Sequence, residues 1–178
     1  MKMYYWFEMP NKYTFEMPKV RHFILNRCNG GRILFPFAGP TRFHHLKNTT
    51  YIDINPEMKP DIVCDAKDIL DHIEPNTVDM IISDPPYSAY QANISYDSEK
   101  YHHALTVYNN NFDKILKVGG YFIQLGYSSS GMGRKRGYDK KELAIICLGG
   151  HHNDILITVE RKTQHSLSHF MQGNESNE

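Results

Sequence analysis

The run Val78-Asp79-Met80-Ile81-Ile82-Ser83-Asp84-Pro85-Pro86-Tyr87 constrains this chain more than any other stretch. Four apolar residues in the five-residue window 78–82 stop abruptly at an acid, two prolines and an aromatic ring. A short apolar run without polar alternation is the pattern of a strand buried on both faces of a parallel sheet. Proline has no amide hydrogen to give to a ladder, so the strand has to end at Asp84. The turn then presents the Asp84 carboxylate, the Pro85 carbonyl and the Tyr87 ring at the carboxyl edge, where open α/β sheets hold their ligands.

The rest of the chain supplies the other strands of such a sheet. Residues 32–35, 51–55, 61–66 and 121–125 read as further strands, the second and third each ending in an acid, Asp53 and Asp65. Apolar residues at 20, 23 and 24 have helical spacing, and Asn29-Gly30-Gly31 stops that helix. A helix is expected over 101–117, ended by Gly119-Gly120, and a short one over 139–143. Residues 144–148 and 155–159, joined by a Gly-Gly-His-His-Asn-Asp turn, read as a hairpin. The expectation is an α/β chain whose mostly parallel, Rossmann-like sheet ends in an antiparallel hairpin. Residues 1–20, rich in aromatics and broken by Pro10 and Pro18, are expected to lie irregularly on the body, packing Trp6, Phe7 and Phe15.

With 178 residues, 40% apolar and 22% charged, the chain fits one domain over 1–178 with a real core. Residues 1–19 are its packed N-terminal segment and 163–178 a polar, frayed tail. No run of about 18 apolar residues offers a membrane span. Three widely spaced cysteines (Cys28, Cys64, Cys147) make neither a disulfide framework nor a zinc site, and they suit a reducing cytoplasm. The pairs His44-His45, His102-His103 and His151-His152 lack metal-ligand spacing, because adjacent residues point to different sides of an element. Twenty basic and twenty acidic residues give net zero. A self-sufficient nucleic-acid binder is usually basic, so any such affinity has to be local or supplied by a partner.

The corner at residues 84–87 suits a flat ring with an exocyclic NH2. Asp84 and the Pro85 carbonyl are acceptors for the two amine hydrogens, and Tyr87 can stack on the ring. Asp-Pro-Pro-Tyr, following an apolar strand and downstream of Pro36-Phe37-Ala38-Gly39 and two acid-ended strands, resembles the S-adenosylmethionine-dependent amino-methyltransferases. The DNA N6-adenine enzymes fit the tetrapeptide best. The resemblance covers residues 14 to 162. It implies that Asp84, Pro85, Pro86 and Tyr87 hold the target base. It also implies that Phe15, Pro36, Phe37, Ala38, Gly39, Asp53, Asp65 and Ala66 line the cofactor site. Asp53 would face the ribose hydroxyls and Asp65 the adenine amine. An acid after a strand can equally cap the next helix.

Two departures stand out. Phe35 replaces the acid of the family's glycine loop, and Pro40-Thr41 stands where a small residue and a second glycine are usual. Methylation of guanine N2 or adenine N6 in RNA stays open beside the DNA reading. So does a catalytically silent subunit that binds nucleic acid or a partner. No inserted target-recognition segment is visible, so specificity falls to 88–100, to the basic loop 128–138, to RNA shape, or to a homodimer or partner subunit.

Overall fold

The structure is a computed structural model that describes residues 1–28, 30–86, 98–150 and 152–164, with backbone alone over 98–104. Eight strands form one sheet: β1 (Lys2–Phe7), β2 (Ile33–Phe35), β3 (Thr49–Asp53), β4 (Ile62–Val63), β5 (Val78–Ser83), β6 (Leu116–Gly126), β7 (Tyr138–Cys147) and β8 (Ile155–Lys162). Their spatial order is β1-β7-β8-β6-β5-β2-β3-β4. β8 runs antiparallel to β6 and β7, and all other pairings are parallel. The mostly parallel sheet with its terminal antiparallel hairpin is therefore as expected.

Alternation along the central strands divides the core between two faces. Ile33 and Phe35 of β2, Met80 and Ile82 of β5, and Ile123 and Leu125 of β6 share one cluster with Val20, Phe23 and Ile24 of helix α1 (Pro18–Leu25). Leu34, Ile81 and Phe122 point the other way, onto Phe112 and Ile115 of helix α2 (Ser98–Ile115). Both faces of β5 are thus covered, which is why its sequence shows no polar alternation. Each such side chain stabilises the fold by about 1.5–3 kcal/mol on burial. Pro18 opens α1 at a position where its missing amide hydrogen is no loss.

Three expectations are corrected. Residues 2–7 form a strand rather than an irregular segment: β1 pairs in parallel with Glu142–Cys147 of β7. Phe15 is buried there and Trp6 packs on the same cluster, but Phe7 is 62% exposed. Residues 139–143 belong to β7 and not to a helix. Their polar composition looks helical in isolation, but Asp139 faces Arg161 and Lys140 faces Glu160 across β8, an opposite-charge ladder that only the strand provides. Thr163, placed in the frayed tail, donates through both its amide and its hydroxyl to the Gly137 carbonyl. Residues 165–178 lie outside the described residues.

Helical cover is thin. The β2–β3 connection is a loop, and the connections after β3, β4 and β6 hold only 3-10 turns (Pro56–Met58, Ala66–Asp71, Arg134–Arg136). The segment after β6 runs back across the α2 side of the sheet and buries Met132 where a crossover helix would lie. Among the described residues, no helix is long and apolar enough to cross a membrane.

Candidate functional site

The chain leaves β2 toward β3 and β4, then returns to β5 on the opposite side of β2. Loops after β2 and β5 diverge from such a switch point and leave a crevice between them. A cavity of about 1080 Å3 opens there. Its walls come from residues 10–15, the loop 36–41, Asp53 and Ile54, residues 64–66, and Asp84-Pro85-Pro86. Tyr108 of α2, Tyr127 after β6, and Leu148, His152 and Asn153 of the β7–β8 turn complete it. Phe15, Pro36, Phe37, Ala38, Gly39, Asp53, Asp65, Ala66, Asp84, Pro85 and Pro86 all meet on this one cavity. Tyr87 and residues 88–97 lie outside the described residues, as do the side chains of 98–104.

The loop after β2 is held by hydrogen bonds at residues 38, 39, 41, 42 and 43. The Ala38 amide donates to the Ile52 carbonyl at 2.9 Å. Gly39 donates to Asp53 Oδ2 at 2.8 Å, and Asn55 donates to Asp53 Oδ1 at 2.9 Å. Asp53 is thereby oriented by two amides while keeping lone pairs on both oxygens. Gly39 has φ +55°, and a Cβ there would meet only Tyr13, at 4.0 Å. The loop's conformation, not crowding, asks for glycine.

Arg42 does the work that a helix would otherwise do, and nothing in the sequence signals it. Its guanidinium donates to the carbonyls of Gly39 (2.9 Å), Thr41 (2.7 Å), Met58 (2.8 Å) and Lys59 (2.7 Å) and lies over the Tyr51 ring, 4.7 Å from its centroid. Next to it, the Phe43 amide donates to the Tyr51 hydroxyl at 2.8 Å. The four carbonyls belong to two separate turns, so no local pattern could have linked them.

Phe35 turns out to cost the cavity nothing. It is fully buried on the α1 face, stacked between Phe43 and Tyr51 with both centroids at 5.1 Å, and edge-on to Phe15 at 5.4 Å. An aromatic column stands where an acid was expected, beneath the loop rather than in the crevice. Thr41, in contrast, is on the cavity wall but 2% exposed, and its hydroxyl has no hydrogen-bond partner among the described residues.

Asp65 has the capping role that the sequence left open, and it also lies on the cavity. It caps the 3-10 turn that follows, accepting from the Lys67 amide at 3.0 Å. Tyr108 sits against it: burial first, then the charge and hydrogen bond of Asp65, push the phenol up to about 12. Tyr108 is thus a neutral donor at any physiological pH. Burial, then the neighbouring carboxylates of Asp65, Asp68 and Asp71, raise the Cys64 thiol as well. The basic loop 128–138 is not on this cavity. Gly133, Arg134 and Tyr138 line a smaller one of about 580 Å3, and Arg136 donates to Asn110 at 2.9 Å.

No protein-family model and no curated protein sequence matches this chain. Solved structures do. TrmN from Thermus thermophilus aligns with TM-score 0.63 and 16% identity over 82% of this chain, which spans about half, 49%, of the TrmN chain. An rRNA methylase from Streptococcus thermophilus aligns with TM-score 0.54 and 12% identity, over 82% of this chain and 95% of its own. The N-methyltransferase NodS from Bradyrhizobium japonicum, in complex with S-adenosyl-l-homocysteine, aligns with TM-score 0.60 and 16% identity, over 86% and 90%. The eight-stranded sheet, its order and its terminal hairpin are therefore a Rossmann-like methyltransferase fold.

Proposed function

We propose that this chain is an S-adenosylmethionine-dependent methyltransferase acting on an exocyclic amine of a nucleic-acid base, with adenine N6 of DNA as the favoured target. The observation that carries the reading is convergence on one crevice. Asp84-Pro85-Pro86 at the end of β5 shares a single cavity with the Pro36–Thr41 loop and with Asp53 and Asp65. A cofactor and a ring together need a large site, and this one, at about 1080 Å3, is slightly larger than the ordinary ligand-pocket range of about 300–1,000 Å3.

The residues present fit the cofactor. The Gly39 turn leaves room beside it, and Asp53 and Asp65 keep acceptor capacity after their structural hydrogen bonds. When bound, the cofactor's sulfonium would supply an electrophilic methyl group. The protein's part is to align and desolvate the amine. Asp84 and the Pro85 carbonyl would accept its two hydrogens and stabilise the charge developing on nitrogen. A base inside a duplex would first have to flip into the crevice.

RNA is the second reading, and the rRNA methylase favours it through its name alone. Radiolabelled methyl transfer to DNA and to RNA, followed by nucleoside analysis, decides between them. N6-methyl-2′-deoxyadenosine from DNA is the expected product. No methylated base on either polymer, from folded protein shown to bind the cofactor, would leave only the silent-subunit reading. A cytoplasmic location is proposed on the three unpaired cysteines.

A further inference from the structure

Among the described residues, β1 is the outermost strand of the sheet and pairs only with β7, and it is built unlike an edge that is meant to stay single. Met1, Met3, Tyr5, Phe7 and Met9 are 69%, 63%, 61%, 62% and 82% exposed. They alternate along the chain, so they form one stripe on the sheet face opposite α1, while Tyr4 and Trp6 turn inward to Phe23. Together they expose roughly 600 Å2 of side chain, taking ~150–200 Å2 for each large side chain. That is at the top of the ~300–600 Å2 of the largest apolar patch on a typical monomer.

The backbone of the same strand is also open. Glu8 donates its amide to Cys147, so even-numbered residues of β1 spend their hydrogen bonds on β7. The amides and carbonyls of Met3, Tyr5 and Phe7 therefore point away from the sheet. Among these outward groups Lys19 Nζ caps the Phe7 carbonyl, at 2.7 Å.

We infer that two copies of this chain pair through β1, antiparallel about a two-fold axis at Tyr5. Outward groups on odd residues require odd residues to face odd ones, and charge then selects among the allowed registers. With Tyr5 opposite Tyr5 of the second copy, Met3 meets Phe7 and Lys2 meets Glu8. The only acid and the only base within residues 1–9 thus fall opposite each other, twice by symmetry. Tyr5 on Tyr5 and Met3 on Phe7 join the stripes into one apolar band, and two eight-stranded sheets become continuous. Lys19 gives up the Phe7 carbonyl to the Met3 amide of the second copy. A heterologous peptide would find the same free edge, but self-pairing is the arrangement that also matches the charges.

Sedimentation velocity of the full chain tests this. Dimer is expected at low micromolar concentration. Tyr5→Asp sets two carboxylates across the axis and should weaken association by about 100-fold, with circular dichroism unchanged. Lys2→Glu should weaken it by about tenfold, since the altered pair occurs twice. Glu8 also accepts from the Lys19 amide, at 2.8 Å, so the register is read from a cycle. Adding Lys2→Glu to Glu8→Lys should strengthen association about tenfold, where in the wild type it weakens it. A monomer at about 100 µM, a dimer indifferent to Tyr5→Asp, or a Lys2→Glu effect of one sign in both backgrounds overturns the proposal. So does a monomer whose stripe instead binds phosphatidylcholine vesicles.

Discussion

Removing the Arg42 guanidinium should loosen the crevice without touching the Asp84 corner. Arg42→Ala deletes four hydrogen bonds of 2.7–2.9 Å from a charged donor to main-chain carbonyls, and the contact over Tyr51. Hydrogen bonds to charged groups contribute about 1.5–3 kcal/mol each, and a cation over a ring about 0.5–1 kcal/mol at a partly exposed site. Those figures do not add here, because the Lys59 contact is exposed and water can take over the freed carbonyls. A net loss of about 3 kcal/mol is expected, which for a chain of this size lowers Tm by about 6–12 °C. Denaturant titration gives the stability. Calorimetry with S-adenosylmethionine should show affinity falling by about tenfold or more, because the carbonyls of residues 39 and 41 lose their anchor beside Asp53. Arg42→Lys can remake only one or two of the four bonds and should fall between. Unchanged stability would show that the 36–43 loop holds itself. Reduced stability with unaltered cofactor affinity would separate the loop from the site.

Three further predictions concern single groups. Asp84→Ala should reduce methyl transfer by ~10²–10³, equivalent to ~3–4 kcal/mol, with cofactor affinity nearly unchanged; a destabilised variant with full single-turnover rate per folded molecule would make Asp84 structural only. Lys162 is buried, with Nζ 3.1 Å from Asp113 Oδ1 and 3.0 Å from the Leu116 carbonyl, while Tyr138 donates to the same carboxylate oxygen at 2.9 Å. Lys162→Met should destabilise by about 3–5 kcal/mol by stranding Asp113, and adding Asp113→Leu should recover part of it; a denaturation midpoint unmoved by Lys162→Met would refute this. Hydrogen bonding from Lys117, with help from the Arg32 amide, holds Asp79 below its ordinary 3.8. A depressed carboxylate stabilises above its unfolded value and loses that contribution as pH falls through the folded one. Wild type should therefore lose slightly more stability than Asp79→Asn below pH about 4, a modest difference because the side chain is partly exposed; equal acid sensitivity of the two proteins would count against it.

Much of this was legible in the sequence, because it rests on local rules. The uninterrupted apolar run 78–82 required cover on both faces, and Pro85-Pro86 ended the strand at its carboxyl edge. Acids closing the two strands after the 36–39 turn then fell along the same edge, since parallel strands end on one side. That alone brings Asp53, Asp65 and Asp84 to one cavity. Tertiary structure decided the rest, wherever a residue's partner is distant in sequence. Asp139-Lys140 became strand because Arg161 and Glu160 stand opposite. Phe35 could replace an acid because Phe43 and Tyr51 close an aromatic stack around it. Arg42 became the clamp of the loop after β2 through carbonyls sixteen and seventeen residues away. Residues 2–7 could become an edge strand only once β7 was in place, 140 residues on, to pair with them. Hydrophobic period and backbone chemistry act within a few residues and can be read from the chain, whereas pairing across a sheet depends on which distant segment arrives beside it.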